Sequence, residues 1–122
     1  MINYWAMARG IYVLLTALLT VASCDKEEMP KGTPPCIKDK INEIAKEPVA
    51  NPPAKIFSYQ YKGITVYYLP PKCCDIPSTL YDADCNIICS PDGGFSGRGD
   101  GRCPDFFTSR TEERVIWEDK RK

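Results

Sequence analysis

Residues 55–69, KIFSYQYKGITVYYL, decide the fold. Both halves are rich in β-branched and aromatic residues, which favour strands. Gly63 lies between the halves and supplies the positive φ of a tight turn, so the stretch predicts a β-hairpin. Alternation places Phe57, Tyr59 and Tyr61 on one face. These rings either bind a ligand or are sheet aromatics half-buried under a helix.

Two more β elements are predicted after this hairpin. Residues 79–82 and 86–89 read as a second, shorter hairpin around a turn at 83–85, where Asp favours the turn. Residues 114–118 alternate well enough for a final strand, after a short helical turn that begins near Phe106.

A short helix is predicted before the first hairpin, over residues 36–47. Ile37, Ile41 and Ile44 recur at the spacing of one helical face, and Pro48 ends the helix. Thr33 is a candidate cap. The sequence thus predicts an α+β domain over residues 36–119. It consists of a small antiparallel sheet, with two hairpins plus a C-terminal strand, covered by one N-terminal helix and cross-linked by disulfides.

The first 23 residues have the pattern of a lipoprotein signal peptide. Arg9 precedes a short apolar run, and Leu18 to Cys24 ends that run as a lipobox, with Cys24 as the lipidated first residue of the mature protein. The alternative is an uncleaved anchor or an ordinary signal peptide, with Cys24 as a disulfide partner. Lipidation predicts attachment to the membrane through lipid, including palmitate, on Cys24.

Residues 24–35 predict a flexible tether, because they are charged and contain Pro and Gly. Lys26-Glu27-Glu28 resembles the surface-export signal of Bacteroidota lipoproteins, although a solvated linker gives the same pattern. The predicted location is the bacterial outer membrane, facing either the periplasm or the cell surface. Residues 120–122 are predicted to form a charged tail.

The remaining cysteines number six, an even set in an exported domain of under 100 residues, which predicts a disulfide framework. Six cysteines allow fifteen connectivities, and a bond between adjacent cysteines is expected to be strained. Excluding that bond leaves twelve, among which the sequence does not choose. Cys73 and Cys74 are expected to tie one segment to two neighbours. The six are Cys36, Cys73, Cys74, Cys85, Cys89 and Cys103.

Residues 90–105 contain five of the eight glycines and three aspartates, and predict a long surface loop. Asp92, Asp100 and Asp105 are weak candidates for calcium binding, although their spacing is not that of an EF-hand and turn or cap roles explain them as well. Arg98-Gly99-Asp100 matches the tripeptide of integrin-binding adhesins, a match that arises easily by chance in such a loop.

Composition excludes several chemistries. The chain has no histidine, which removes Ser-His-Asp and Cys-His catalysis and histidine zinc sites. Residues 24–122 carry all 16 acidic residues and 15 of the 16 basic ones, a formal charge of −1, so no basic excess points to nucleic acid. A zinc site of four thiolates and a glycosidase-type pair of carboxylates stay open as alternatives. We expect no enzyme, no metal or other cofactor apart from the weak calcium site, and no nucleic-acid partner.

Several motifs in the mature chain resemble an uncharacterised family of small Bacteroidota lipoproteins, a domain of unknown function. The resemblance extends from Cys36 to about Asp119. It implies an extracytoplasmic location and a binding or structural role, and it carries no catalytic residues. The motifs lie at residues 66–75, 80–82, 86–89, 91–94, 97–101 and 103–106.

Two functions remain in view. The first is a lipid-anchored, non-enzymatic binding or structural module of the cell envelope, with an unknown protein or glycan as its partner. The second is a small inhibitor of a secreted hydrolase that acts through the 90–103 loop, because a disulfide-closed loop binds at a reduced entropic cost.

Overall fold

A computed structural model describes residues 28–73 and 75–122. The signal peptide, Cys24, the first two residues of the Lys26-Glu27-Glu28 motif and Cys74 lie outside the described residues. Within the described part of the chain, no helix has both the length and the apolar character needed to cross a membrane.

The architecture is α+β, as predicted. Five strands form one antiparallel sheet in the order β4-β3-β2-β1-β5, so the first hairpin is central. The elements are α1 (Pro35–Lys46), β1 (Lys55–Tyr61), β2 (Ile64–Leu69), β3 (Thr79–Tyr81), β4 (Ile87–Cys89), α2 (Phe106–Ser109) and β5 (Thr111–Glu118).

The central hairpin turns at Lys62 and Gly63, which both have positive φ, 49° and 79°. Such a two-residue turn matches the right-handed twist of the flanking strands. It sets Tyr59 opposite Val66. Because strand side chains alternate, this register gives the sheet two apolar faces rather than one.

α1 covers one of these faces. Ile37, Ile41 and Ile44 are buried there, as their spacing predicts, against a cluster that includes Ile56 and Tyr67. A β-bulge opposite β1 places both Ile116 and Trp117 of β5 in this cluster.

The ends of α1 differ in part from the prediction. The chain leaves the helix before Pro48, as expected, and Pro35 occupies the first turn, where its missing N–H costs no hydrogen bond. Thr33 does not cap the helix: Pro34 is the N-cap residue, and the Thr33 hydroxyl donates to the Pro30 carbonyl within its own turn. Thr33 is only 6% exposed and Met29 packs against the α1 cluster, so the last residues of the predicted tether lie against the domain.

The second face is covered by α2 and the glycine-rich loop, not by α1. Tyr59, Tyr61 and Tyr68 lie on this face around Phe106, which is fully buried. The centroid of the Phe106 ring lies 5.3–5.6 Å from the ring centroid of each tyrosine. The tyrosines are therefore buried sheet aromatics, but the helix above them is the short one. Their face is not open to a ligand, because each of them is at most 6% exposed.

Two disulfides join these layers. Cys36 bonds Cys85 and thereby ties the first turn of α1 to the turn between β3 and β4. Cys89 bonds Cys103. Cys73 is disulfide-bonded as well, with a partner that is none of these four.

This pairing corrects part of the expectation. The two observed bonds use four of the six cysteines and leave only Cys73 and Cys74. They therefore occur together in none of the twelve connectivities that exclude a Cys73–Cys74 bond. Cys73 does not tie its segment to α1 or to either hairpin. The deciding distances are tertiary, since docking of α1 brings the Cα atoms of Cys36 and Cys85 within 5.9 Å.

Candidate functional site

The candidate site is the glycine-rich loop of residues 90–103, which connects β4 to α2. The disulfide between Cys89 and Cys103 closes it, with Cα atoms 6.2 Å apart and both residues at most 4% exposed. The bond lies under the loop in the aromatic cluster, so the base of the loop is part of the core.

Backbone hydrogen bonds give the loop a defined shape. Gly99 packs where only a glycine fits, because a Cβ atom there would lie 1.8 Å from the Ser90 carbonyl oxygen, and its φ is +66°. A loop cross-linked in this way is expected to keep its conformation on binding a partner. The Gly93 N–H donates to the Gly97 carbonyl, and the Gly97 N–H donates to the Gly94 carbonyl. The Gly99 N–H donates to the Gly93 carbonyl, and the Asp100 N–H donates to the Ser90 carbonyl.

Asp92 anchors the loop to the sheet. The Tyr68 hydroxyl donates to Asp92 Oδ1 at 2.8 Å, and the Asp92 N–H donates to Ser78 Oγ at 3.1 Å. Ser78 donates in return, through its N–H and its hydroxyl, to the Asp92 carbonyl at 3.0 Å. Burial raises the pKa of the Tyr68 phenol, and the bond to the Asp92 carboxylate raises it further.

Asp100 shapes the loop from within. Its Oδ1 accepts the Arg102 N–H at 3.0 Å and its Oδ2 accepts the Ser90 N–H at 3.1 Å. These backbone bonds, led by the one from Arg102, hold the pKa of the carboxyl below its usual value. Because both oxygens of Asp100 are bound within the loop, the Arg98-Gly99-Asp100 tripeptide gains no support as an adhesion motif.

Asp105 lies at the other end of the loop, where it precedes α2. Its Oδ1 accepts the Tyr61 hydroxyl at 2.7 Å, and Lys62 Nζ lies 3.9 Å from the same oxygen. The Tyr61 bond is the main reason that the pKa of Asp105 is lowered. Asp105 thus fixes α2 over the hairpin turn.

The structure does not bring the calcium candidates together. Asp92, Asp100 and Asp105 each bind a different partner at a different point along the loop. Within residues 28–73 and 75–122, no group of three or more Cys, Asp or Glu side chains is arranged to hold a metal ion. The geometry therefore favours turn and anchoring roles for all three aspartates.

Phe95 is the functional candidate that the sequence analysis missed. It lies at the tip of the loop with its ring 96% exposed, between Gly94 and Gly97, which close a turn through a hydrogen bond. An exposed phenylalanine in a cross-linked loop contributes nothing to the core, so its ring is available for contact with a partner. Its sequence signal was a lone aromatic residue among glycines between two cysteines.

The sequence matches a known protein family. The sequence model of a family described as a domain of unknown function (DUF6970) matches residues 42–119, well over half of the 122 residues. The chain belongs to the DUF6970 family. No curated protein and no solved structure gives a significant match. An uncharacterised family was what the sequence motifs indicated, and this expectation is confirmed.

The DUF6970 match contains the site described above. It begins at Asn42, inside α1, and includes all five strands, the 90–103 loop and α2. Cys36 lies before the matched residues, although Cys85, to which it is bonded, lies within them. The loop and its anchors are therefore features of the domain rather than of an appended segment.

Arg110 is a second residue of the DUF6970 domain that the sequence analysis did not single out. Its guanidinium, at the end of α2, makes cation–π contacts with three rings, at 4.6 Å from the centroid of Tyr59, 4.7 Å from that of Phe107 and 5.6 Å from that of Phe106. Glu113 accepts the Tyr59 hydroxyl at 2.6 Å. Burial first, and then this bond, raise the pKa of Tyr59 to about 12.

Proposed function

We propose that this DUF6970 protein is a lipid-anchored, extracytoplasmic binding module of the cell envelope, without enzymatic activity. Its partner is a protein, which it recognises through the tip of the 90–103 loop. The single observation that carries the proposal is Phe95: a large apolar side chain, 96% exposed, on a loop closed by Cys89–Cys103.

The loop suits a protein partner better than a glycan. Aromatic anchors that enter a pocket carry much of the binding energy at protein interfaces, and a preformed loop loses little entropy when it binds. Glycans are more often stacked on tyrosine or tryptophan faces with polar rims. The tyrosine-rich face of this domain is buried, which leaves the Phe95 tip as the better supported surface.

The lipid anchor is proposed from the sequence pattern that ends at Cys24. Disulfides at Cys36–Cys85 and Cys89–Cys103 support an oxidising compartment, since such bonds are rare in reducing ones. The proposed location is the bacterial outer membrane, with the domain in the periplasm or on the cell surface. Lipid attachment would keep a domain of this size next to membrane-associated partners.

Site-specific crosslinking in intact cells tests the partner. A photoreactive phenylalanine analogue replaces Phe95 in one strain and Lys38, an exposed residue on α1, in the control strain. We expect one discrete crosslinked protein at position 95 and none at position 38, and its loss when Cys89 and Cys103 are both changed to Ser. The same bands at both positions, or none at 95, would contradict the proposal.

Fractionation tests the anchor. Cells that express wild-type protein or Cys24→Ala are labelled with a radioactive fatty acid and separated into soluble and membrane fractions. We expect label and membrane retention only for the wild type. Tight membrane retention of unlabelled Cys24→Ala would show that another segment holds the protein.

The alternative function uses the same loop. An inhibitor of a secreted hydrolase inserts a rigid, disulfide-closed loop into the enzyme cleft, and Phe95 would be its leading side chain. A panel of secreted proteases and lysozyme-type enzymes distinguishes the two. Inhibition of one enzyme that is lost in Phe95→Ala would establish the inhibitor, whereas a crosslinked partner without hydrolase activity would leave the binding module.

A further inference from the structure

A second concave surface lies at the end of the sheet where β1 begins and β2 ends, and one of its lining residues, Pro71, packs beside Gly93 of the loop. It is a groove of about 320 Å³ between the C-terminal part of α1, the connector that follows it and the first residues after β2. A volume of this size is at the lower end of the range of small-molecule sites. The groove is lined by Ile44, Ala50, Pro52, Pro53, Ala54, Lys55, Phe57, Leu69, Pro70, Pro71 and Lys72.

The walls of the groove are apolar and stiff. Phe57, Leu69 and Ile44 supply aromatic and aliphatic surface from three different elements. Two proline pairs, 52–53 and 70–71, also line the groove, and proline fixes the backbone φ. The groove is therefore held open by the fold, as is usual for sites that bind apolar ligands.

The charged residues that line the groove are both lysines. Lys55 pairs with Glu118 at 3.3 Å, and Lys72 pairs with Glu47, but neither glutamate lines the groove. All four side chains are more than one-third exposed, and ion pairs of this kind are weak. An anionic group on a ligand can therefore bind the ammonium groups without a large loss from the existing pairs.

We propose that this groove binds an aliphatic carboxylate of the medium-chain fatty acid class. The alkyl chain lies against Ala54 and Leu69, which both pack on the α1 side of the sheet, and the carboxylate lies at the rim, within reach of Lys55 and Lys72. This combination of an apolar trough with cations only at its edge matches an amphiphile with one negative end. The inference does not rest on the proposed partner of the 90–103 loop, because none of the loop residues 90–103 lines the groove.

Titration of the full chain with a series of fatty acids tests the proposal. Hexanoate, octanoate and decanoate are added below their micelle concentrations, and binding is followed by calorimetry and by amide shifts in an NMR spectrum. We expect affinity to rise about fourfold per added methylene until the groove is filled. The shifts should map to Ala54, Phe57 and Leu69, and decanol should bind more weakly than decanoate.

Substitutions test whether decanoate binds in the groove and whether the two lysines bind its carboxylate. Ala50→Phe fills the groove from the connector and should abolish decanoate binding, whereas binding to any other apolar part of the chain would survive it. Lys55→Gln and Lys72→Gln should each weaken decanoate about two- to fivefold and leave decanol unchanged. Lys38→Gln, which removes an exposed charge from α1, is the control.

The variant and the wild-type titrations test binding in the groove separately. Loss of binding in Ala50→Phe counts only if its amide spectrum remains that of a folded domain. The chain-length series and the shift map on the wild-type protein stand without that variant. Equal affinity for decanol and decanoate, shifts that cluster away from the groove, or no binding of decanoate would overturn the proposal.

Discussion

The hydroxyl of Tyr68 lies 2.8 Å from Oδ1 of Asp92 and so joins a buried residue of β2 to the base of the 90–103 loop. Tyr68 is only 6% exposed, and it is in contact with Phe106 and Phe107 of α2. One hydrogen bond thus connects the sheet, the loop and, through the rings, the short helix. The loop keeps its position because it is fixed to the core here and at Cys89–Cys103.

Removing this hydroxyl should destabilise the domain. Tyr68→Phe leaves the Asp92 carboxylate without its buried donor, and we expect a loss of about 1.5–3 kcal/mol in the free energy of unfolding. Urea denaturation without reductant measures it. A double-mutant cycle with Asp92→Ala should give a coupling energy of at least about 1 kcal/mol, because the two groups are in direct contact. Additive effects would show that the bond contributes little.

The two disulfides should differ in their contribution to stability. In the chain-entropy account, a bond stabilises more when it closes a longer loop. Cys89–Cys103 spans 14 residues and Cys36–Cys85 spans 49, so the paired Cys→Ser variants should lose about 3 and about 4 kcal/mol respectively. Urea denaturation of both variants tests the ranking. A larger loss for the short loop would indicate that core packing around Cys89 and Cys103 outweighs loop entropy.

Gly99 should be intolerant of a side chain. A Cβ atom at this position would lie 1.8 Å from the Ser90 carbonyl oxygen, so Gly99→Ala must displace the backbone of the loop. Gly97→Ala is the matched control, because its φ is also positive but its Cβ would meet nothing within 4 Å. We expect a loss of about 1–2 kcal/mol for Gly97→Ala and a larger loss for Gly99→Ala. Thermal unfolding of both variants measures the difference.

Arg121 should stabilise the C-terminal end of α1, although the sequence predicted it within a charged tail. Its guanidinium donates to the carbonyls of Ala45 at 2.8 Å and Glu47 at 3.1 Å, and to the Asp119 carboxylate at 2.7 Å. Arg121→Ala removes these bonds and leaves Asp119, which is 3% exposed, without its cation. We expect a lower urea midpoint for Arg121→Ala and no change for the exposed control Lys122→Ala. Equal midpoints would mean that the helix end does not need this contact.

The buried tyrosines should make the domain sensitive to alkali. Burial, followed by the Glu113 hydrogen bond, raises the pKa of Tyr59 from its ordinary value of 10 to about 12, and Tyr68 shifts in the same direction. Because the pKa of Tyr59 is higher in the folded state than in the unfolded state, its neutral phenol contributes its full stabilising free energy below pH 10. That contribution is lost as the pH rises through about 12.

Tyrosinate absorbance and urea midpoints across that range test this dependence. We expect tyrosinate to appear together with unfolding, whereas Tyr59→Phe should reduce the loss of stability between pH 10 and 12. Free titration of every tyrosine near pH 10 in the folded protein would contradict the proposed burial effect.

Local patterns were sufficient to predict most secondary structure. The Ile37, Ile41 and Ile44 spacing identified the buried face of α1, and Gly63 fixed the central turn, because both depend on residues near one another in the chain. β5 was predicted three residues too short: it begins at Thr111, in a charged segment that is paired with β1. Because the side chains at the start of β5 are polar, this segment shows no hydrophobic alternation that would predict a strand.

The candidate site was only partly accessible from the sequence. Composition identified a long, closed loop, but not that Phe95 would be left exposed while Phe106, from the same region, would be fully buried. A single phenylalanine among glycines has no periodicity that assigns it to a face. Similarly, Asp92, Asp100 and Asp105 are close enough in sequence to suggest one cation, yet each faces a different neighbour.

The sequence by itself therefore determined the α+β class, the order of elements and the need for disulfides, because these follow from local periodicity, turn residues and composition. Only the tertiary structure decided which cysteines pair, which layer covers the tyrosine face and which side chains remain exposed. The physical reason is that these features depend on distances between segments far apart in the chain. Cys36 and Cys85, 49 residues apart, become neighbours only when α1 docks on the sheet.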